Sequence, residues 1–251
     1  MSHSIYELAA PDVASLIERS RMAVLPVGSV EQHGPHLPNG TDTIAAEIIA
    51  RGLAESLDAL HVPIGQYGVT PIHAGHPGTI SLRREVFEAY LHNILEELVT
   101  MGVSRFVLVN WHEGNNASLD AVATEVQDRH DVLVVTAHAC YVAQRIYADK
   151  GGELTHGGGI ETLAVLAHDA DLVHTDRFSD PSRPPGAAEL DAMRRSREVY
   201  GYITDVTEIA DDGWYGDPAW ATDDEAARFV DTMTDALTKS VQAVFDARRK
   251  K

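Results

Sequence analysis

Through the first two-thirds of the chain, short apolar runs alternate with longer stretches whose apolar residues recur at helical spacing. Met22 to Val27 is a continuous apolar run that predicts a buried strand. Leu60 to Ile64, Arg105 to Val109 and Val132 to Ala137 predict three more. Between them, Ile44, Ile48, Leu53 and Leu57 share one face of a helix predicted over Thr43 to Leu57, just after Asp42. Further helices are predicted over Pro11 to Arg19, Arg83 to Met101, Asn116 to Arg129 and Gly159 to His168. Pro11 sits where proline suits a first helical turn, and Arg83 with Arg84 reads as a solvent-facing helix start. Strands and amphipathic helices in this order predict an α/β, three-layer fold with a mainly parallel central sheet flanked by helices.

After Asp169 the pattern changes. Asp180 to Gly186 is proline-rich and predicts a loop. Asp211 to Trp220 is an aromatic, glycine-rich loop, and Asp223 to Arg248 is a long amphipathic helix. No repeat or low-complexity stretch interrupts the chain, so a single domain over residues 1–251 is expected.

Composition narrows the function classes. A net charge of −18, from 38 acidic against 20 basic residues, argues against nucleic-acid partners, which need clustered Lys and Arg. No apolar run is long enough to span a bilayer, and the first twelve residues lack the pattern of a secretory signal. A cytoplasmic protein without membrane contact is expected. The single cysteine, Cys140, has apolar flanks and reads as a buried structural thiol rather than a nucleophile.

Ionisable residues concentrate just after the predicted strands, where ligands of parallel α/β sheets bind. The loop after Val27 holds Glu31, His33, His36 and Asp42; that after Val109 holds Trp111, His112 and Glu113; a third holds His156, Gly157, Gly158 and Glu161. Imidazole and carboxylate groups suit zinc and manganese, and a carboxylate can bridge two ions. Glu31 and His33, two residues apart, project to one face of extended backbone. Singly, each has a plainer reading: Asp42 as a helix N-cap, Glu31 as a solvated carboxylate, His36 and His112 as polar loop residues. Three such loops on one predicted edge point instead to a metal site.

At these residues the sequence resembles the creatininase (creatinine amidohydrolase) family. The resemblance rests on Leu25-Pro26-Val27-Gly28-Ser29-Val30-Glu31-Gln32-His33-Gly34, Thr41-Asp42, His76-Pro77-Gly78-Thr79, the segment Asn110 to Asn115, and His156-Gly157-Gly158 with Glu161. It implies two divalent metal ions, zinc as a rule with manganese or iron able to take one position. One ion would be held by Glu31, Asp42 and His112, the other by His33, Asp42 and Glu161. It further implies His156 as the catalytic proton carrier, a small-molecule substrate and a homohexamer. Glu113 is a candidate second catalytic group, and His73, His76, Trp111, Gly157 and Gly158 are candidate substrate contacts. Gly157 to Gly159 would leave room for substrate and expose N–H groups to developing charge.

The chain also departs from that family. Creatinine-opening members carry tryptophans over the substrate where this chain has Ala139 and Gly152, and a glutamate where it has Gly114. Without aromatic walls planar creatinine loses its stacking. The expected activity is therefore hydrolysis of a C–N bond, of cyclic-amide or formamide type, in a small polar substrate other than creatinine. Alternatives are hydrolytic ring cleavage of a keto-cyclitol, creatinine ring opening, and a catalytically idle binding protein. Trp214, Tyr215 and Trp220 either cover the site or pack a core or interface, and His73 and His76 either touch substrate or only shape their loop.

Overall fold

The computed structural model describes residues 2–151, 154–196 and 198–249. Four parallel strands, β1 (Met22–Val27), β2 (Leu60–His61), β3 (Arg105–Asn110) and β4 (Leu133–His138), form one sheet in the order β2-β1-β3-β4. The connecting helices are α1 (Ala10–Ser20), α2 (Thr41–Ser56), α3 (Arg84–Thr100) and α4 (Asn116–Arg129). Then follow α5 (Ala139–Ile146), α6 (Ala148–Gly151), α7 (Gly159–His168), α8 (Ala187–Ser196) and the long α9 (Asp223–Arg249). This is the three-layer α/β architecture that the pattern predicts.

The strand period of two explains the layers. Met22 and Val24 of β1, with Val107 and Val109 of β3, face one core, which α2, α7 and α9 complete through Ile49, Leu163, Phe229 and Met233. Ala23, Leu25 and Val27, with Phe106 and Leu108, face the other, against Leu91 and Leu95 of α3 and Leu119 and Val126 of α4. Both faces are covered, so the strands are apolar throughout rather than alternating.

Where expectation and structure differ, the causes are local. The strand expected over Leu60 to Ile64 is only Leu60–His61, because Pro63 has no N–H to give the ladder and Gly65 turns the chain at φ +97°. Helix α5 spans only eight residues, too few to show a period, and α8 lacks an apolar stripe because it is largely polar. Cys140 lies buried in the first turn of α5, where burial pushes its thiol well above the usual range, as befits an inert structural thiol. Among the described residues no helix is long and apolar enough to cross a membrane.

The fold delivers the site through a close approach after β1. Gly28 lies so near the start of α2 that a Cβ on it would stand 2.5 Å from both Cα and N of Thr43. That contact sets Asp42 beside Ser29, whose hydroxyl donates to Asp42 Oδ2 at 2.8 Å. Asn115 ties the neighbouring loops: its amide donates to the Gly28 carbonyl at 3.0 Å and its oxygen accepts from Val69 N at 2.9 Å. Gly28→Ala should lower stability by about 1–3 kcal/mol through overpacking, read from urea denaturation. A variant as stable as the parent would mean the approach is not constrained.

Candidate metal centre

Five side chains from distant parts of the chain converge beyond the carboxyl ends of β1 and β3. Asp42 is not the N-cap of α2, which is Gly40; it stands in the first turn with its carboxylate turned into the molecule. Its two oxygens meet two different imidazoles: Oδ1 is 3.2 Å from His33 Nε2, and Oδ2 is 3.0 Å from His112 Nδ1. Glu31 Oε1 lies 3.3 Å from the same His112 nitrogen, and Glu161 Oε1 3.7 Å from the same His33 nitrogen. Ligand atoms of Glu31, Asp42 and His112 lie within 4.8 Å of one another, as do those of His33, Asp42 and Glu161, so Asp42 belongs to both sets. A third such set is Glu31, His33 and His156.

The far side of each ring identifies what this arrangement needs. His33 Nδ1–H donates to the Glu31 carbonyl at 2.9 Å, and His112 Nε2–H donates to the Val69 carbonyl at 3.1 Å. With those protons placed, the inner nitrogens turn lone pairs toward carboxylates, which only a cation between them reconciles. Glu31 Oε2 is buried without a hydrogen-bond partner. Fixed imidazoles, a shared carboxylate and an orphaned oxygen fit a pair of borderline divalent ions.

Without metal, protons take that role. Burial pushes the pKa of His33 down, but Asp42 and Glu161 reverse this and hold it well above the ordinary value. His112 behaves alike, burial being overcome by Glu31 and Asp42. Burial works to raise Asp42, yet His33 and the hydrogen bonds to it bring it down to about 2. Burial, opposed by His33, leaves Glu161 raised.

His156 stands beside the cluster, its Nδ1 3.7 Å from Glu31 Oε1 and its ring 4.4 Å from that of His33. Its Nε2–H donates to the Gln32 carbonyl at 2.6 Å, which leaves Nδ1 as the acceptor on the site side. Burial, with His73 and His33 nearby, holds its pKa well below the ordinary value. Its backbone pairs both ways with Tyr215, at 3.1 and 2.8 Å. His73 packs on its other face at 4.2 Å, and burial takes His73 down to about 4.

A family model described as Creatininase, creatinine amidohydrolase, matches residues 6–241. The chain belongs to the creatininase family. Among its curated relatives, the mycofactocin precursor peptide peptidase of Mycobacterium tuberculosis (strain CDC 1551 / Oshkosh) is 30% identical over 245 residues, spanning 94% of this chain and 90% of the relative. The creatinine amidohydrolase of Pseudomonas putida is 32% identical over 220 residues, 73% of this chain and 84% of that one. The 3-dehydro-scyllo-inosose hydrolase of Thermotoga maritima is 31% identical over 249 residues, 92% and 79% respectively. A crystal structure of creatinine amidohydrolase (creatininase) superposes with a TM-score of 0.78 at 25% identity, covering 97% of this chain and 98% of the other. The protein is accordingly a hydrolase of the creatininase family.

Around the ligand cluster, this creatininase-family protein departs from several expectations. Glu113 lines the cavity beside the cluster but belongs to none of the ligand sets found among the described residues. Its carboxylate accepts from Tyr141 Oη at 2.8 Å, Arg195 Nη1 at 2.9 Å and Arg194 Nη2 at 3.3 Å. Trp111 touches the cavity but is buried against Phe229. His76, Gly157 and Gly158 are not among the residues lining the cavity. The Gly157 N–H is taken by the Glu161 carboxylate, and its carbonyl by His36. A Cβ on Gly158 would collide with Thr155, and one on Gly159 with Trp220, so these glycines admit the protein's own chain rather than substrate. Trp214 is core packing beside His36, and Trp220 packs on Tyr147; Tyr215 alone of the three lines the cavity. Ala139 is fully buried and offers no wall, while Gly152 lies outside the described residues.

Several working residues carried little signal in the sequence. Gln32 clamps the His156 side of the site, its amide donating to the Gly213 carbonyl. Ser29 and Asn115 sit inside the recognised segments without an evident task. Asp191, Arg194 and Arg195 form an ion-pair network with Glu113 that links positions about eighty residues apart.

Two outcomes follow. With His33 and His112 protonated in the metal-free protein at neutral pH, zinc must displace protons. Calorimetry in buffers of different ionisation heat should therefore show net proton release, and affinity should fall as the pH is lowered; binding without proton release would contradict the arrangement. Glu113→Gln should cost about 1–3 kcal/mol of stability by weakening acceptors of two partly buried arginines, with metal content unchanged. Loss of metal would place Glu113 among the ligands instead.

Proposed function

We propose that the protein is a dinuclear metal-dependent amidohydrolase that cleaves a C–N bond in a small substrate other than creatinine. The observation that carries this reading is the single carboxylate of Asp42 shared between two His-carboxylate sets. Glu31, Asp42 and His112 would hold one ion, and His33, Asp42 and Glu161 the other. When bound, such ions supply Lewis acidity toward water and toward a carbonyl oxygen.

The chain's own residues do the rest. His156, tethered through Nε2 to the Gln32 carbonyl, presents Nδ1 beside Glu31. A neutral imidazole placed there accepts the proton of the attacking water and returns it to the departing nitrogen. The two-way backbone pairing with Tyr215 holds that ring against drift. Glu113, with both oxygens committed to Tyr141 and two arginines, keeps the wall in shape rather than carrying protons.

The exclusion of creatinine is supported by the missing aromatic wall at Ala139, buried in the core. Amide cleavage is supported by the peptidase and amidohydrolase relatives. A second reading, hydrolytic ring cleavage of a keto-cyclitol, is favoured by the Thermotoga relative that spans 92% of this chain. Product analysis separates the two, since only amide cleavage releases a new amine.

Metal analysis of the purified protein should find about two transition-metal ions per chain, and Asp42→Asn should lose both together because they share it. His156→Ala should keep the metal while hydrolysis of an amide panel, followed by amine release, falls about 100-fold or more. A metal-free protein, or a His156→Ala variant with full turnover, would refute the reading.

A further inference from the structure

The cavity that opens onto the ligand cluster has a volume of about 830 Å³. Cavities of that order accommodate drug-sized ligands, whereas one five-membered ring on the cluster would leave most of the space to water. What fills the remainder is set by the rest of the lining.

One side of that lining is aromatic and apolar, while Arg84, Asn116 and Asp120 line it elsewhere. Tyr200 and Tyr202 stand edge to face, ring centroids 5.6 Å apart, and Tyr202 is 86% exposed where it lines the cavity. Ile203 and Tyr215, with Ile72 packed against them, belong to a small apolar cluster separate from the two sheet cores. The wall is a built feature. Tyr215 Oη donates to Asp191 Oδ2 at 2.7 Å and accepts from Arg195 Nη2 at 3.0 Å, and the Arg183 guanidinium lies 4.2 Å over its ring. The turn at Val206–Glu208, between this wall and the Gly213 loop, is fixed by a complete capping box from Asp205 and Glu208.

Where α8 borders the cavity, charge is internally matched. Arg194 and Arg195 are paired with Glu113 and Asp191, two cations against two carboxylates, so these groups offer no net charge to a ligand. An exposed aromatic pair continuous with a polar metal-ligand cluster is a surface for one molecule with both characters.

We infer that the substrate is an amide bearing an aromatic or bulky apolar arm, which seats against Tyr200, Tyr202 and Ile72 while its scissile group lies on the ligand cluster. This rests on the metal-amidohydrolase reading above. It separates this protein from enzymes of compact single-ring substrates by the size of what lies beyond the reacting bond.

Hydroxamates, which chelate metal in the manner of an amide being hydrolysed, test it on the zinc-loaded full chain without knowledge of the substrate. The probes are acetohydroxamate, 3-phenylpropanohydroxamate and the monohydroxamate of succinate, with Kd measured by calorimetry. The phenyl compound should bind about tenfold or more tighter than acetohydroxamate. In a Tyr200→Ala/Tyr202→Ala double variant that advantage should shrink to about threefold or less, with acetohydroxamate unchanged. Equal affinity for the phenyl and methyl compounds, or an advantage that survives the double variant, overturns the inference and leaves the metal centre standing. Tightest binding by the succinate compound also overturns it, by showing an anionic arm. Failure of all three to bind zinc-loaded protein defeats the metal reading itself, and the inference with it.

Discussion

The structure turns on one carboxylate between two imidazoles that both present lone pairs to it. Asp42 cannot be satisfied by His33 and His112 as neutral donors, because each ring has committed its N–H to a backbone carbonyl on its far side. Glu31 and Glu161 add negative charge to the same space. Even two imidazolium ions leave three carboxylates short by one charge, and an unpaired buried carboxylate costs several kcal/mol. Bound divalent cations would remove that deficit, and Glu31 Oε2, buried without a hydrogen-bond partner, would be free to serve as a ligand. The anchoring carbonyls thus orient the rings and fix which nitrogen each presents to the carboxylates.

Parallel topology brings these groups together. β1 and β3 are adjacent and in register from Met22–Arg105 to Val27–Asn110, so the loops that follow them leave the sheet side by side. One carries Glu31 and His33, the other His112. α7 contributes Glu161 from its first turn, where the carboxylate reaches back to the Gly157 N–H and lies at the favourable end of the helix dipole. Asn115 then fastens the loops after β1 and before α3 to the one after β3.

How much of this was legible in the sequence follows from the range of each signal. β1, α4 and α7 appear with the expected bounds because their patterns are uniform over many residues. α5 offers too few turns for a period to emerge, and α8 is too polar to show one. The ligand types could be named because Asp, Glu and His in post-strand loops are unusual company, yet that Asp42 spans both sets is visible only in coordinates. Glu113 adjoins His112 in sequence, but the arginines that pair with it lie on α8, far along the chain, and could not be read from it. Gly157 and Gly158 show a different limit: a glycine marks a close approach, but sequence does not say whether ligand or protein approaches.

If the ligand cluster is common to the family, specificity would have to reside elsewhere. Relatives of about 30% identity are named for peptide, creatinine and inosose substrates, so a shared hydrolytic centre serves quite different molecules. In this chain a wall built after Asp169, where the strand–helix alternation stops, lines the cavity beside the ligand cluster. α8 is joined to Glu113 by two arginines and to Tyr215 by Asp191 and Arg195, and Tyr215 in turn pairs with His156. The cavity wall and the His156 ring are therefore one hydrogen-bonded unit. A substitution in α8 would therefore be felt at the backbone that carries His156, so under the proposed mechanism the wall and the proton carrier would not be separately adjustable.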